Sequence, residues 1–302
     1  MDHLDAMRLF ARVVERGSFS SAAADLGLPR STATEAVQQL ERRLGVRLLQ
    51  RTTRKVSPTL EGEAYYRRCL TIVADVEDAE GAFTGAKPRG LLRIDVYGTL
   101  ARHFLLPSLP RFFSEYPDLQ LHIGEGDRLV DLVEEGIDCV VRAGEPRDSA
   151  MVGRRIALME EVTCASPDYL ARFGTPRTLE DLAGHRMIGF ISSTTKKVFP
   201  LEFTVAGAIR HLTLPMTVSV NASETGRELA LLGLGLLQMP RYHIEPYMKA
   251  GTLVEVLPEF PPSPTPISLL YLHSRQLSPR VRVFIDWVTK EFAARLPSAT
   301  AR

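Results

Sequence analysis

Residues 17–58 read GSFSSAAADLGLPRSTATEAVQQLERRLGVRLLQRTTRKVSP. Upstream, Leu4, Met7, Leu9, Phe10, Val13 and Val14 recur at helical spacing, and Gly17 stops that helix. Ser18 and Ser20 offer N-caps for a short helix around residues 21–26, and Gly27-Leu28-Pro29 forms a tight turn. A second amphipathic helix runs from Arg30 or Ser31 to Leu44, with Ala33, Val37, Leu40 and Leu44 facing inward. Small residues in the first of these two helices let the second cross it steeply, which is a helix-turn-helix arrangement. After Gly45, Val46–Gln50 and Val56-Ser57-Pro58 are two short β-capable pieces around a polar, basic tip, and they read as a wing.

The 302-residue chain is almost neutral, with 37 Lys+Arg against 36 Asp+Glu, so any polyanion site has to be local. It is: between Glu41 and Lys55, Arg42, Arg43, Arg47, Arg51, Arg54 and Lys55 face the single acid Glu41. Such a stripe alone reads more readily as a solvated basic face on a small helical domain. Placed directly behind a helix-turn-helix pattern, it is the electrostatic footprint expected for DNA phosphates. Ser31, Thr32, Thr34, Glu35 and Gln38 carry the short or polar groups suited to base edges on the second helix. Each single Ser or Thr reads as well as a cap or a water-binding surface group. Arg30, Arg51, Thr53 and Arg54 suit phosphate or minor-groove contact.

The run MRLFARVVERGSFSSAAADLGLPRSTATEAVQQLERRLGVRLLQRTTRKVSPTLEGEAYY resembles the LysR-type transcriptional regulators, with LERRLGVRLLQRTTR followed by SPTLEG as its most specific part. Glu35 stands where many relatives carry Arg, a departure that bears on base preference and not on the fold. The resemblance extends more weakly beyond Gly90. It implies a winged helix-turn-helix head at 1–58, a linker and dimerisation helix with hinge at 59–88, and an α/β effector-binding domain at 89–302. That domain has two lobes like a periplasmic binding protein: lobe I at 89–162 and 267–302, lobe II at 163–266. It also implies a homodimer or homotetramer on double-stranded DNA, an operator that is an interrupted palindrome, and contact with RNA polymerase if the protein activates.

The linker has its own signature. Thr59 is placed to cap a long helix reaching Thr84, and Tyr66, Cys69, Val73, Val76 and Phe83 keep a three-four rhythm suited to a helix-on-helix seam or to packing on the helix's own domain, and the resemblance implies that this helix pairs two chains. Residues 85–90, GAKPRG, break it. From Leu91, strands (91–96, 119–124, 137–142) alternate with helices (101–116, 127–135), a pattern of mostly parallel sheet. Further strands are expected at 187–190, within 199–214, and at 218–221, 234–239 and 267–272, with helices at 222–232 and 278–296.

Strand ends in such sheets open toward ligands. Thr99 and Leu100, Arg142 and Gly144, Ser192, and Asn221 stand at such ends and are the candidate effector contacts. Thr99 and Asn221 read equally as helix caps, and Arg142 as the partner of an acid. Two helix N-termini with a hydroxyl and an amide at one gap favour a small organic or aromatic acid.

Other classes are disfavoured. No GxSxG, HExxH or phosphate-cradling Gly-Lys-Ser/Thr motif occurs, so neither an enzyme, a cofactor nor a metal is expected. Cys69, Cys139 and Cys164 show no CxxC spacing, and apolar surroundings argue against a redox sensor. The start, MDHLDAMRLFARVVERG, has acids and arginines throughout, and no apolar run reaches about 18 residues; the expectation is a cytoplasmic protein without a membrane partner.

Overall fold

The computed structural model describes residues 1–51, 56–84, 87–126, 130–144, 151–193, 195–272 and 277–296. Helix α1 (His3–Arg16) is capped by Asp2 and closed by Gly17 in the left-handed region at φ 59°. In α2 (Phe19–Asp25) the cap is Ser18, whose Oγ accepts from Ser21 N at 3.3 Å. Helix α3 (Arg30–Leu44) buries Ala33, Ala36, Val37 and Leu40 against Leu9, Phe10 and Val13 of α1. Leu44, expected to face inward, is exposed: it is the last helical residue before Gly45, one turn beyond the point where the three-helix core ends. Strands β1 (Leu49–Arg51) and β2 (Val56–Pro58) pair antiparallel, Leu49 opposite Pro58, and form the expected wing.

Two local contacts fix the wing and the linker helix α4 (Leu60–Thr84). Glu41 Oε1 accepts from both Leu48 N at 2.9 Å and Leu49 N at 3.1 Å, so the one acid in the basic stripe holds the wing onto α3. Thr59 Oγ1 accepts from Gly62 N at 2.9 Å and donates to Arg47 O at 2.7 Å. The first turn of α4 thereby lies so close to the wing that a Cβ on Gly62 would stand 1.8 Å from Leu48 O.

Of the residues expected on an inter-chain seam of α4, Tyr66, Cys69 and Val73 pack within the head of their own chain. Cys69 lies fully buried in the head's own core, with Tyr65, Tyr66 and Val73 packed against it. Phe10 and Tyr65 place their ring centroids 5.5 Å apart, and Arg8 pairs with Glu77 at 3.3 Å. In this part of the helix the three-four rhythm faces α1, which lies alongside. Val76 is half-buried, and the side chain of Phe83 lies outside the described residues.

The remaining elements are β3 (Gly90–Val96), α5 (Gly98–Leu100), α6 (Leu109–Glu115), β4 (Leu119–Glu125), α7 (Leu132–Glu135), β5 (Cys139–Ala143), β6 (Met151–Met159), β7 (Glu161–Ala165), α8 (Pro167–Phe173), β8 (Gly189–Ile191), β9 (Val198–Phe199), β10 (Leu201–Val205), β11 (Ala208–Leu212), β12 (Ser219–Val220), α9 (Ser223–Leu231), β13 (Leu237–Pro240), α10 (Arg241–Lys249), β14 (Val254–Val256), β15 (Thr265–Leu272) and α11 (Pro279–Ala293). Between α5 and α6 stand a π turn, Ala101–Leu105, and a 3-10 turn, Leu106–Ser108. The expected single helix over 101–116 is therefore three pieces, because Pro107 and Pro110 have no amide hydrogen for an unbroken ladder. Of the helix expected at 127–135 only α7 forms among the described residues; 127–129 lie outside them.

The first sheet runs β4-β3-β5-β15-β6, with β3 parallel to β4 and β5 but β15 antiparallel to β5 and β6. In the second lobe β7 pairs antiparallel with both β13 and β14, and among the described residues β12–β8 is the one parallel strand pair. The expectation of mostly parallel sheet holds for β4-β3-β5 and fails elsewhere, since β15 returns from the second lobe and enters the first sheet in the opposite direction. The chain changes sheet at Glu160: β6 ends at Met159 opposite Thr265, and β7 begins at Glu161. Glu161 and Val162 thus belong to the second lobe and Thr265 and Pro266 to the first, rather than the reverse.

Replacing Gly62 by Ala forces the wing and α4 apart. The expected cost to the head is roughly 2–4 kcal/mol, read as a lowered thermal transition of the helical signal; an unchanged transition would refute the close approach.

Candidate functional site

Two regions gather the candidate residues. On α3 the side chains of Ser31, Glu35, Gln38 and Arg42 share the exposed face, opposite Ala33, Val37 and Leu40. Arg30 is exposed in the first turn, whose cap, Pro29, makes no side-chain hydrogen bond to the helix amides. Thr32 and Thr34 are half-buried, and Thr34 Oγ1 donates to Arg30 O at 3.1 Å, which leaves its lone pairs free to accept. Arg42, Arg43 and Arg47 are exposed. Because Glu41 turns toward the Leu48 and Leu49 amides, its charge is held at the wing's base rather than displayed on that face. Thr53 and Arg54 lie outside the described residues, as does the side chain of Arg51, whose backbone is in β1.

The second region is the seam between the lobes. Gly98 and the π turn bring Thr99, Arg102 and His103 of the first lobe against α9 and α10 of the second. Arg102 donates to Glu125 at 2.8 Å within its own lobe and to Glu224 Oε1 at 2.5 Å across the seam. A Cβ on Gly98 would stand 2.7 Å from Glu125 and 2.9 Å from Arg102, so glycine makes room for this ion pair. The bond to Glu224 is the chief cause that raises the Arg102 guanidinium above its ordinary range. For Glu224, burial pushes the carboxyl up, but the Arg102 hydrogen bond and other contacts outweigh it and the net shift is downward.

Three aromatic or hydroxyl contacts accompany the ion pair. Tyr97 OH and Ser223 Oγ lie 2.7 Å apart, and Thr99 Oγ1 and Tyr242 OH 2.9 Å apart. The Tyr242 ring stands edge-on between His103 and Phe104, at 5.0 and 4.9 Å between centroids, and Phe104 stacks on Phe292 in the first lobe's core. A side chain of α10 is thus plugged into the opposite lobe. Beside it, His243 is 2% exposed and Arg227 Nη1 approaches its Nε2 at 3.1 Å. Since a guanidinium can only donate, Nε2 accepts and the ring proton sits on Nδ1, which is buried without a partner among the described residues. Burial, then the positive Arg227, holds the His243 pKa down to about 4, and burial likewise lowers His103.

Of the expected effector contacts, only Thr99 stands in this seam with its hydroxyl engaged across it. Leu100 is fully buried in the first lobe's core. Arg142 forms an ion pair with the buried Asp95, the bland alternative in its case. Gly144 follows β5 with φ 97°. Ser192 is committed to its own turn, its Oγ accepting from Thr195 N at 3.0 Å. Asn221 is exposed and does not cap α9, whose cap is Ala222. Sequence reasoning missed Arg102, Ser223, Glu224 and Tyr242. The available signal was Tyr242-His243 at the start of a helix after Pro240, where a bulky polar pair is not needed for capping. The three cysteines are all buried; burial pushes Cys69 and Cys164 up to about 12 and Cys139 well above its ordinary value, leaving thiols rather than reactive thiolates.

Residues 4–63 match the bacterial regulatory helix-turn-helix protein, lysR family, and residues 85–293 match the LysR substrate binding domain. The chain is 38% identical to the HTH-type transcriptional regulator YhjC of Escherichia coli, over 97% of this chain and 99% of that one. It is 36% identical to an HTH-type transcriptional repressor of Pseudomonas aeruginosa, over 97% and 93%. The solved structure of CrgA, a LysR-type transcriptional regulator from Neisseria meningitidis, superposes with a TM-score of 0.60 at 32% identity, covering 95% of this chain and 98% of that one. These relatives are transcriptional regulators. Among the described residues no helix is long and apolar enough to cross a membrane.

Because His243 is held below its unfolded value of 6.5, its contribution to stability is complete above pH 6.5 and is lost as the pH falls toward about 4. A His243→Gln variant should lose on the order of 2 kcal/mol less stability between those limits than the native chain. Denaturant titrations at pH 6.5 and 4.5 check this; parallel losses in the two proteins would remove His243 from the account.

Proposed function

The chain belongs to the LysR-type family of transcriptional regulators, DNA-binding proteins with an effector-binding domain, and on that premise we propose that its effector is a small organic or aromatic acid held between the lobes. One observation carries this reading: a carboxylate, that of Glu224, already rests on Arg102 across the seam at 2.5 Å. A free acid of similar geometry can exchange with it, while Thr99 and Tyr242 offer hydroxyls at 2.9 Å from one another for its remaining polar atoms. An arginine fork matches a carboxylate in both charge and plane. An aromatic acid gains further from the His103, Phe104 and Tyr242 rings. Arg142, Gly144, Ser192, Leu100 and Asn221 would shape the surrounding walls rather than hold the acid.

In the head, we assign base reading to Ser31, Thr32, Thr34, Glu35 and Gln38. Glu35 would accept from a cytosine N4 amine and disfavour bases that present only acceptors there. Arg30, Arg51, Thr53 and Arg54 would take phosphates or the minor groove and set the salt dependence. Residues 1–58 then read DNA, 59–88 carry and space the heads, and 89–302 sense the effector. A homodimer or homotetramer on an interrupted palindrome follows if two heads occupy two half-sites, and the exposed Ile72 on α4 leaves an apolar position for the contact between chains. RNA polymerase would be a partner only if the protein activates. A cytoplasmic setting suits a protein that works on the chromosome.

Two experiments test the reading. Selection from random duplexes should return different preferred bases for native protein and Glu35→Ala, with total affinity within about threefold; the same motif from both would strike Glu35 from the readers. A panel of aliphatic and aromatic acids, screened for a rise in the thermal transition of the effector domain, should contain stabilisers whose effect disappears in Thr99→Val while binding to the selected duplex is kept. If no acid stabilises the native protein, or Thr99→Val responds equally, the site lies elsewhere.

A further inference from the structure

Arg280 is placed against local electrostatics. It lies in the first turn of α11, next to Pro279 and the Ser278 cap, where the helix amides already make the field positive and no acid of the same turn compensates. It is also only 3% exposed. Nothing in α11 itself calls for a buried cation there. The compensation comes from two other elements: Arg280 Nη2 lies 3.1 Å from Asp138 Oδ1 and 3.8 Å from Asp75 Oδ1. Asp138 is locked in turn, its Oδ2 accepting from Arg93 N at 2.7 Å and its own amide donating to Arg93 O at 2.8 Å. Asp75 belongs to the linker helix α4 and is 62% exposed.

Around this trio the first lobe rests on the linker helix of its own chain. Gly136, with φ 64°, lies beside α4, where a Cβ would stand at ordinary contact distance from Thr71 Oγ1 (3.6 Å) and Arg67 O (3.9 Å). The Arg93 charge is felt by Tyr66 of α4, whose hydroxyl reaches Glu15 of α1 at 3.5 Å. Polar contacts therefore lead from the first sheet, through Asp138 and Arg280, to Asp75 on α4, and α4 in turn meets the head through Tyr66–Glu15 and, two residues from Asp75, through Arg8–Glu77 at 3.3 Å.

We propose that Arg280 is the positioning residue that couples the effector domain to the DNA-binding head, with Asp138 as its fixed anchor and Asp75 as its releasable partner. The asymmetry of the two acids is what a switch needs. Asp138 is nearly buried and held by Arg93, so Arg280 stays with the first lobe. Asp75 is exposed and at longer reach, so a small rotation of the lobe breaks that contact without exposing an unpaired charge. The inference does not depend on which effector is bound, and it can be tested without one.

Coupling is reciprocal, so whatever the lobe does to the head, DNA on the head does to the lobe. In the full-length native protein, binding of a duplex selected from random sequence should change hydrogen exchange at residues 132–142 of the first lobe. Asp75→Asn, a change on an exposed helix surface, should bind the same duplex yet lose that change. Without DNA it should also exchange about two- to fivefold faster at residues 67–78, the range an exposed ion pair can account for. Arg280→Met should behave alike, and the double variant should add nothing to either single one. If Arg280→Met fails to fold, Asp75→Asn alone carries the test. The proposal is overturned if DNA leaves residues 132–142 unchanged in the native protein, or changes them equally in Asp75→Asn.

Discussion

The carbonyl of Leu48 occupies the space where residue 62 would carry a Cβ. Much of the head's geometry hangs on that contact. It lets the first turn of α4 sit on the base of the wing, where Thr59 caps the helix and grips Arg47 at once. With Glu41 holding the neighbouring amides, α3, the wing and α4 become one rigid joint. The orientation of the exposed α3 face relative to the long helix is thus set at the wing's backbone, by the close approach of residue 62 and by the short side chains that bond to that backbone. Cys69 and Tyr65 then extend the head's core onto α4, so the linker is half head and half lever.

The effector domain is organised around the opposite kind of contact. Its seam is made by side chains that satisfy each other: an arginine by two carboxylates, a threonine by a tyrosine, a tyrosine by a serine. Tyr97 and Tyr242 lean on the first lobe's apolar core and Thr99 and Ser223 are buried beside them, whereas the Arg102 ion pairs are exposed. Hydroxyl and ion-pair contacts of this sort are individually small in net free energy, because water competes for each partner. A seam built from them can separate and re-form, whereas the joint at Gly62 cannot.

Legibility in the sequence followed the range of the interactions. Helix limits set by neighbours in the chain were readable: Gly17 ends α1, Ser18 starts α2, Ser278 starts α11. The wing was readable from two β-capable pieces and the basic run between them. What failed were inferences that needed to know what lay alongside. Val73 and Cys69 gave the right periodicity but not the identity of the helix they face. Leu44 kept the rhythm one turn past the end of the core. The direction of β15 depends on where the chain re-enters the sheet, which no local pattern encodes. In the candidate effector region, Thr99 was legible as a hydroxyl after a strand and before a helix, whereas Arg102, Glu224 and Tyr242 become partners only across 122 and 143 residues of chain.

The plugged Tyr242 has a consequence for sensitivity. Any ligand that enters the seam must first draw from molecules whose lobes stand apart, so its apparent dissociation constant is its intrinsic one divided by the fraction that is open. The hydroxyl pair with Thr99 and the edge-on rings of His103 and Phe104 set that fraction. The threshold concentration at which such a protein responds therefore depends on the seating of one phenol as well as on the ligand's own contacts. A firmer seat for that phenol would raise the threshold even for a ligand whose intrinsic affinity for the open lobes is unchanged.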